Sequence, residues 1–317
     1  MNQEVRTVSI ITPCYNSAQY IAQTIASVQQ QTLTTWEMIV VDDGSTDDSA
    51  TIVQTMSEED GRIKLVQKEN GGSASARKLA LSMARGEYIQ FLDADDQLEK
   101  DKLRRQITLM QEQKLQVSYP DWRFIHPDGM HEQVHGLNFN RLRVQLFWGT
   151  LFGALPVHSF IYRRDFLEEH NITFNSEIRE REDWNFHIQV LANHPRSKRL
   201  KGYCGALYLR CPTGKTSSFE KIQMGTLRFL LYKIRHTHFL TRLLLMMRLS
   251  IVLVELIMPT LKRKINLRNI MPLFFTSFAY TMILIIAILK LPIAIIIFLC
   301  KITYANINRY LQNKQLQ

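Results

Sequence analysis

Cysteine is scarce in this chain: four in 317 residues, Cys14, Cys204, Cys211 and Cys300, none in CxxC spacing. That excludes a disulfide framework and a cysteine-based zinc site, and it is what a reducing compartment leads one to expect. No GxGxxG follows the first apolar run, which excludes a Rossmann dinucleotide site, and no GxxxxGK[ST] occurs, which excludes P-loop chemistry. The opening MNQEVRTVSI has neither the basic start nor the long apolar stretch of a secretory signal, so any catalytic part is expected in the cytoplasm. Internal repeats and low-complexity linkers are also missing. The last scarcity is local. Residues 198–317 hold 19 Lys and Arg against two acids, Glu220 and Glu255, whereas residues 1–197 hold 20 against 27. A basic segment suits nucleic acid or an anionic membrane. Here the basic residues interleave with unbroken aliphatics rather than exposed aromatics, so a membrane is the expected partner and nucleic acid is not.

What is present is an ordinary globular composition, 46% hydrophobic and 21% charged, long enough for one large or two modest domains. VSII (residues 8–11) reads as a buried strand closed at Thr12-Pro13. Ile21, Ile25 and Val28 follow at helical spacing, with Ser17 as an N-cap. EMIVVDDGSTDDS is a second strand breaking into Asp-Gly-Ser turn chemistry. A polar helix to about Met56, a strand at IKLVQKE, a Gly71-Gly72 turn, a helix over SASARKLALSMA stopping at Gly86, and a strand at EYIQFLD complete the series. Strands alternating with helices predict a mostly parallel sheet covered on both faces, with ligands at the carboxyl ends of its strands. Three such ends carry distinctive polar residues: Thr12 to Asn16, Asp42-Asp43, and Asp93 to Asp96. Beyond about residue 120 the pattern loosens into short strands, aromatics and loops.

In an extended strand residues i and i+2 point the same way, so Asp93 and Asp95 would present carboxylates on one side with Asp96 turned away. Two acids so placed suit a hard cation, Mg²⁺ or Mn²⁺; an acidic turn at a strand end is the plainer alternative.

The blocks ITPCYN, VVDDGSTDDS, NGGSASARKLAL, GEYIQFLDADD and REREDWNFHIQVL, in that order and spacing, resemble the family 2 glycosyltransferases over roughly residues 5 to 218. The resemblance implies a GT-A fold, a Rossmann-like sheet with helices on both faces. It also implies inverting transfer of a sugar from a nucleotide diphosphate donor, most often UDP-linked. It places Thr12, Pro13, Tyr15 and Asn16 along the base and ribose, Asp43 or Asp42 on the base, and Arg77 near the nucleotide. Asp93 then lies near ribose or metal, and Asp95 on the metal. Lys78 stands where the family usually has Asn. Asp183, just before a helical run, takes the place of the family's catalytic base, with Glu182 as fallback; from the residues alone it is as easily an N-cap. YLRCPTGKTSS (residues 208–218) resembles the loop that closes on the pyrophosphate, which makes Arg210 a phosphate ligand. Cys211 or Pro212 stands where that loop usually has His.

His126, His131, His135 and His158 match no metal-ligand spacing and are read as polar loop residues. Trp122, Trp148 and Trp184 are read as core or cleft aromatics. HSFIYRRDFLEEH is read as a strand followed by a helix with Asp165 near its start.

Residues 1–218 are therefore expected to form the catalytic domain, and residues 219–317 membrane-associated helices. Lys221, Arg228, Arg235 and Arg242 fall seven apart, one cationic stripe on a helix suited to a membrane interface. IMPLFFTSFAYTMILIIAIL (residues 270–289) is charge-free and long enough for a hydrocarbon core. It is flanked on both sides by basic residues and interrupted by Lys290 and Pro292, so a re-entrant hairpin is expected, with a tilted span as the alternative. The whole reads as a metal-dependent transferase at the cytoplasmic membrane face, acting on a lipid-linked or cell-surface glycan. The alternatives are a polyprenyl-phosphate glycosyltransferase and a non-catalytic membrane scaffold.

Overall fold

The computed structural model describes residues 7–125, 131–134, 156–178 and 181–209. Within them the chain runs β1 (Val8–Cys14), α1 (Ile21–Gln29), β2 (Trp36–Asp42), α2 (Ser49–Glu59), β3 (Ile63–Gln67), α3 (Ser73–Met83) and β4 (Tyr88–Phe91). It continues through β5 (Gln97–Leu98), α4 (Lys102–Glu112), β6 (Val117–Ile125), β7 (His131–Val134) and a 3-10 turn (Val157–Ser159). Last come β8 (Ile161–Arg163), α5 (Arg164–Glu169), α6 (Glu182–Ala192) and β9 (Ser197–Leu209).

These strands form one sheet in the order β3-β2-β1-β4-β8-β6-β9-β5, with β7 on β6. Every residue of β2 is buried, as a strand covered on both faces must be. One apolar cluster unites Ile11, Ile39 and Phe91 with Ala76 and Ala80 of α3 and Phe186 and Val190 of α6. The other joins Ile10, Met38 and Val40 to Ile21 and Ile25 of α1, Val53 of α2 and Ile107 of α4. Helices thus cover both faces, as expected.

The sheet is mixed rather than mostly parallel. The β3-β2-β1-β4 half is parallel, each crossover carrying a helix. Beyond it β8 pairs antiparallel with β4 and β6, and β5 with β9. The strands past residue 115 are also not all short: β6 has nine residues and β9 thirteen, paired in parallel. Pro120 interrupts the first, and Lys198, Arg199, Lys201, Gly202 and Gly205 interrupt the second, so neither reads as an apolar run. Their register shifts at Pro120/Asp121 and Asp121/Trp122, where buried Asp121 accepts from Arg199 Nε at 2.7 Å.

Three boundary expectations change for local reasons. β1 runs through Pro13, because its β4 partner ends opposite Ile11 and proline's missing N–H breaks no ladder bond there. Ser17 does not cap α1; its hydroxyl donates to the Tyr15 carbonyl and the helix proper begins a turn later, at Ile21. Gly86 is no left-handed helix cap. It is pressed against β1, where an added Cβ would lie 2.5 Å from Ser9 N, and its own N–H donates to Ser9 Oγ at 2.8 Å.

Candidate active site

The parallel strands deliver their carboxyl ends to one edge. At the end of β1, Thr12 is fully buried, Pro13 half-buried, and Tyr15 exposes half its surface. Asn16 is exposed and left-handed at φ 48°. Its amide oxygen accepts from Thr46 N–H at 2.8 Å and its N–H donates to Ser45 Oγ at 3.0 Å. Asn16 therefore fastens the β1 loop to the Asp-Gly-Ser loop after β2 and holds Tyr15 outward. Asp42 and Thr12 each keep a buried oxygen, Oδ1 and Oγ1, with no hydrogen-bond partner.

Asp43 is committed locally. Its carboxylate accepts from Gly71 N–H at 2.9 Å, Gly72 N–H at 2.7 Å and Lys68 Nζ at 2.6 Å. It shapes the turn before α3, where Gly72 at φ 87° supplies the conformation a side chain would resist.

From that turn α3 presents Arg77, only 4% exposed. One terminal nitrogen donates to Asp93 at 2.5 Å and the other to Glu182 at 3.0 Å. Ser73 Oγ also donates to Glu182. Burial alone would lower the Arg77 pKa; the charges of Asp93 and Glu182, with Asp183 behind them, outweigh it and keep the guanidinium charged. Arg77 thereby joins the end of β4 to the start of α6. Lys78, next in sequence, is exposed.

The acids after β4 do not follow strand alternation. The strand ends at Phe91, and residues 93–96 form a turn closed by Asp96 N–H on the Asp93 carbonyl at 3.1 Å. That turn brings Asp96 round to Asp93 rather than away from it. Asp93, Asp96 and His158 each offer a ligand atom, all within 4.8 Å of one another. Asp95 is outside this trio but close: burial, then the charges of Asp96 and Asp93, push its carboxyl up to about 7, partly offset by His158. The set of carboxylates and imidazole suits a divalent cation, and the electrostatic pressure on Asp95 is the kind a cation relieves.

Asp183 is the second residue of α6, whose Phe186 stacks on Phe174 at 4.5 Å and meets Phe91 edge-on at 5.2 Å. One turn separates positions 183 and 186, so this aromatic packing fixes where Asp183 sits. Arg181 precedes the helix in a left-handed conformation (φ 60°), its guanidinium 4.6 Å from the Trp184 ring. Burial, then Glu182, raises the Asp183 pKa to about 6, with Arg181 and Arg77 pulling the other way. Glu182, the fallback base, is held by Arg77 and Ser73.

Sequence reasoning read His158 as a polar loop residue and turned Asp96 away from Asp93, whereas His158 is fully buried beside Asp96; it also missed the Glu182–Arg77 tie. Asp96 was legible as an acid but assigned to the wrong side of the chain. Nothing in the spacing pointed to His158, which reaches Asp96 only through tertiary structure. Arg210, the 208–218 loop beyond Leu209, Trp148, His126 and His135, and the whole of residues 219–317 lie outside the described residues.

The profile of Glycosyl transferase family 2 matches residues 9–170, half of the chain. The chain belongs to that family. TuaG of Bacillus subtilis strain 168, a glycosyltransferase named for teichuronic acid biosynthesis, is 45% identical over 123 residues, 38% of this chain and 49% of TuaG. The chain thus spans about half the length of this family 2 relative. Two solved structures share the fold. TarS 1-349 of S. aureus, in complex with UDP, has TM-score 0.56 and 22% identity over 87% of this chain and 80% of its own. The mannosyltransferase PcManGT of Pyrobaculum calidifontis, in complex with GDP-Man and Mn²⁺, has TM-score 0.57 and 18% identity over 90% and 87%. The mixed α/β sheet of this family 2 chain is therefore GT-A-like.

Proposed function

We propose that the protein is an inverting, metal-dependent glycosyltransferase that moves a sugar from a nucleotide diphosphate donor, UDP-linked by preference, to a hydroxyl of a lipid-linked or cell-surface glycan at the cytoplasmic membrane face. One observation carries the catalytic part: Arg77 ties the acidic turn at Asp93 to the helix start bearing Asp183, so an anion-handling edge and a carboxylate poised near neutrality share one site.

In this reading the exposed ring of Tyr15 offers a face for the base, and Asp42, with its unpartnered Oδ1, supplies an acceptor at the β2 end. Asp43 acts by shaping the Gly71-Gly72 turn. Asp93, Asp95, Asp96 and His158 form the pocket whose donor chemistry fits Mg²⁺ or Mn²⁺. When bound there, the cation supplies Lewis-acid neutralisation of charge on the departing diphosphate. Asp183 takes the proton from the attacking acceptor hydroxyl. Arg77 keeps Glu182, and with it the first turn of α6, in place; Arg210, outside the described residues, is assigned to phosphate by the sequence resemblance alone.

The membrane part is supported by sequence alone: the basic stripe and the charge-free run of residues 270–289. A glycan acceptor confined to the same surface gains effective concentration.

The deciding experiment screens nucleotide-sugar donors with the full chain and then Asp183→Asn. Loss of general-base assistance lowers kcat by about 10²–10⁴, with donor affinity retained because Asp183 touches the acceptor. Wild-type turnover in the variant would remove the base assignment and favour a phosphate acceptor.

A further inference from the structure

Beneath α4 the core turns polar. Gln90 of β4, Lys102 and Gln106 of α4, Ser118 of β6 and Ser159 of the 3-10 turn are all 0% exposed. Lys102 Nζ donates to Gln90 Oε1. With its orientation fixed by that contact, the Gln90 amide donates through Nε2 to the His158 carbonyl at 2.8 Å. One helical turn past Lys102, Gln106 Nε2 donates to the Ser118 carbonyl at 3.0 Å and to the Ser159 carbonyl at 3.4 Å. Two successive carbonyls of the turn Val157–Ser159 are therefore held from α4, one directly and one through Gln90. β9 leaves room for the lysine stem. A Cβ on Gly205 would lie 3.1 Å from Lys102 Cγ and 2.6 Å from Pro120 Cγ.

Stability gives no reason for this arrangement. Burial drives the Lys102 pKa well below its ordinary value, with no neighbouring charge to offset it among the described residues. A methionine of similar length would fill the same space without desolvating an amine, so the amine is there for what it orients. The carbonyls it controls belong to the turn that presents His158, whose Nδ1 lies 2.7 Å from Asp96 Oδ2 and whose ring is 5.4 Å from that of Tyr208. α4 itself begins shortly after Asp96. One helix thus leaves the acidic turn and grips the distant turn that closes against it.

We infer that Lys102, with Gln90 and Gln106, is a positioning residue of the transferase: it acts through the Val157–Ser159 turn, setting where His158 stands against Asp96. This rests on the transferase reading above and on no particular metal. Misplacing His158 disturbs the acidic turn, where charge on the departing diphosphate is to be met. The loss therefore belongs to kcat rather than to donor binding at the β1 and β2 ends.

The test uses the full chain and a nucleotide-sugar donor that it turns over. It compares Lys102→Met, Gln90→Glu, His158→Asn and the double variant Lys102→Met with His158→Asn. Gln90→Glu keeps an acceptor for Lys102 and removes the donor to the His158 carbonyl, so it probes the same link without touching the lysine. Lys102→Met should melt no lower than the parent at neutral pH. Its kcat should fall by about tenfold or more, with donor KM changed less than about threefold. Gln90→Glu should show the same split. In the His158→Asn background, Lys102→Met should lower kcat by less than about twofold further, because the link it serves is already gone. Unchanged kcat in both single variants overturns the inference and leaves the transferase reading standing. Losses that multiply in the double variant do the same, since Lys102 would then act elsewhere. So does a melting temperature that falls in step with kcat in both single variants, which would make Lys102 a structural residue. Absence of turnover by the unaltered chain on every donor, with and without divalent metal, overturns the transferase reading and the inference together.

Discussion

Asp95 and Asp183 are pushed in the same direction by burial and neighbouring carboxylates, to about 7 and about 6. The consequence for activity follows from Asp183, whose ionised form is the competent base in the proposed mechanism. Turnover should rise with pH through about 6 and level off above it. A flat profile from pH 5 to 8, measured under single-turnover conditions, would exclude Asp183 as the titrating base. The consequence for stability has the opposite sign. A carboxyl whose folded pKa exceeds its unfolded value of about 3.9 binds its proton more tightly in the native state. Its stabilisation is complete below about pH 4 and lost as pH climbs through the folded value. Metal-free protein should thus lose thermal stability between pH 5 and 8. Asp95→Asn should melt higher than the parent at pH 8 and much like it at pH 4. Equal melting temperatures at pH 8 would show that Asp95 is relieved in some other way. Such a gain on removing a functional acid is the usual mark of a site that trades stability for chemistry. Both acids could be singled out from their sequence blocks. Their elevated pKa values could not, since those arise from Asp96, Glu182 and burial in three dimensions.

Gly86 shows how a correct residue can be read for the wrong reason. A glycine after a helical run suggests a left-handed cap; this one instead lets the α3–β4 connection lie against the β1 backbone. Gly86→Ala forces a Cβ into Ser9 and should cost about 1–3 kcal/mol, read as a lower urea midpoint at unchanged m-value. An unaltered midpoint would mean the connection yields freely. The helices and strands of residues 8–91 were legible because most of the apolar runs are uninterrupted and every turn but the α1–β2 connection, QQTLTT, carries Gly, Asp or Asn. β6 and β9 were not, because their pairing depends on partners 80 residues apart and tolerates Pro120 and several lysines and arginines. α6 was placed correctly from Trp184 onward, yet the features that make it a functional element come from elsewhere: the aromatic bed of Phe91 and Phe174, and the Arg77 tie to Glu182.

Across the chain, charge and chemistry divide. The acids proposed to handle the donor fall in residues 1–197, and the surplus of positive charge falls almost entirely in residues 198–317. If the latter serves a membrane, the full chain should sediment with vesicles containing anionic lipid and be released as salt shortens the Debye length. Equal recovery with uncharged vesicles would show that apolar insertion, not charge, holds it. The sequence by itself determined the order of strands and helices in the parallel half, the family, and the identity of most polar residues at the strand ends, because those depend on local periodicity and short motifs. Folding determined which of these residues meet. Strand alternation ends at Phe91, so a turn rather than a pleat orients Asp93 and Asp96; His158 arrives from a distant turn; and Arg77 is turned inward as a tie between two acids. Contacts between residues dozens of positions apart are set by the packing of the sheet, for which no short stretch of chain carries the coordinates.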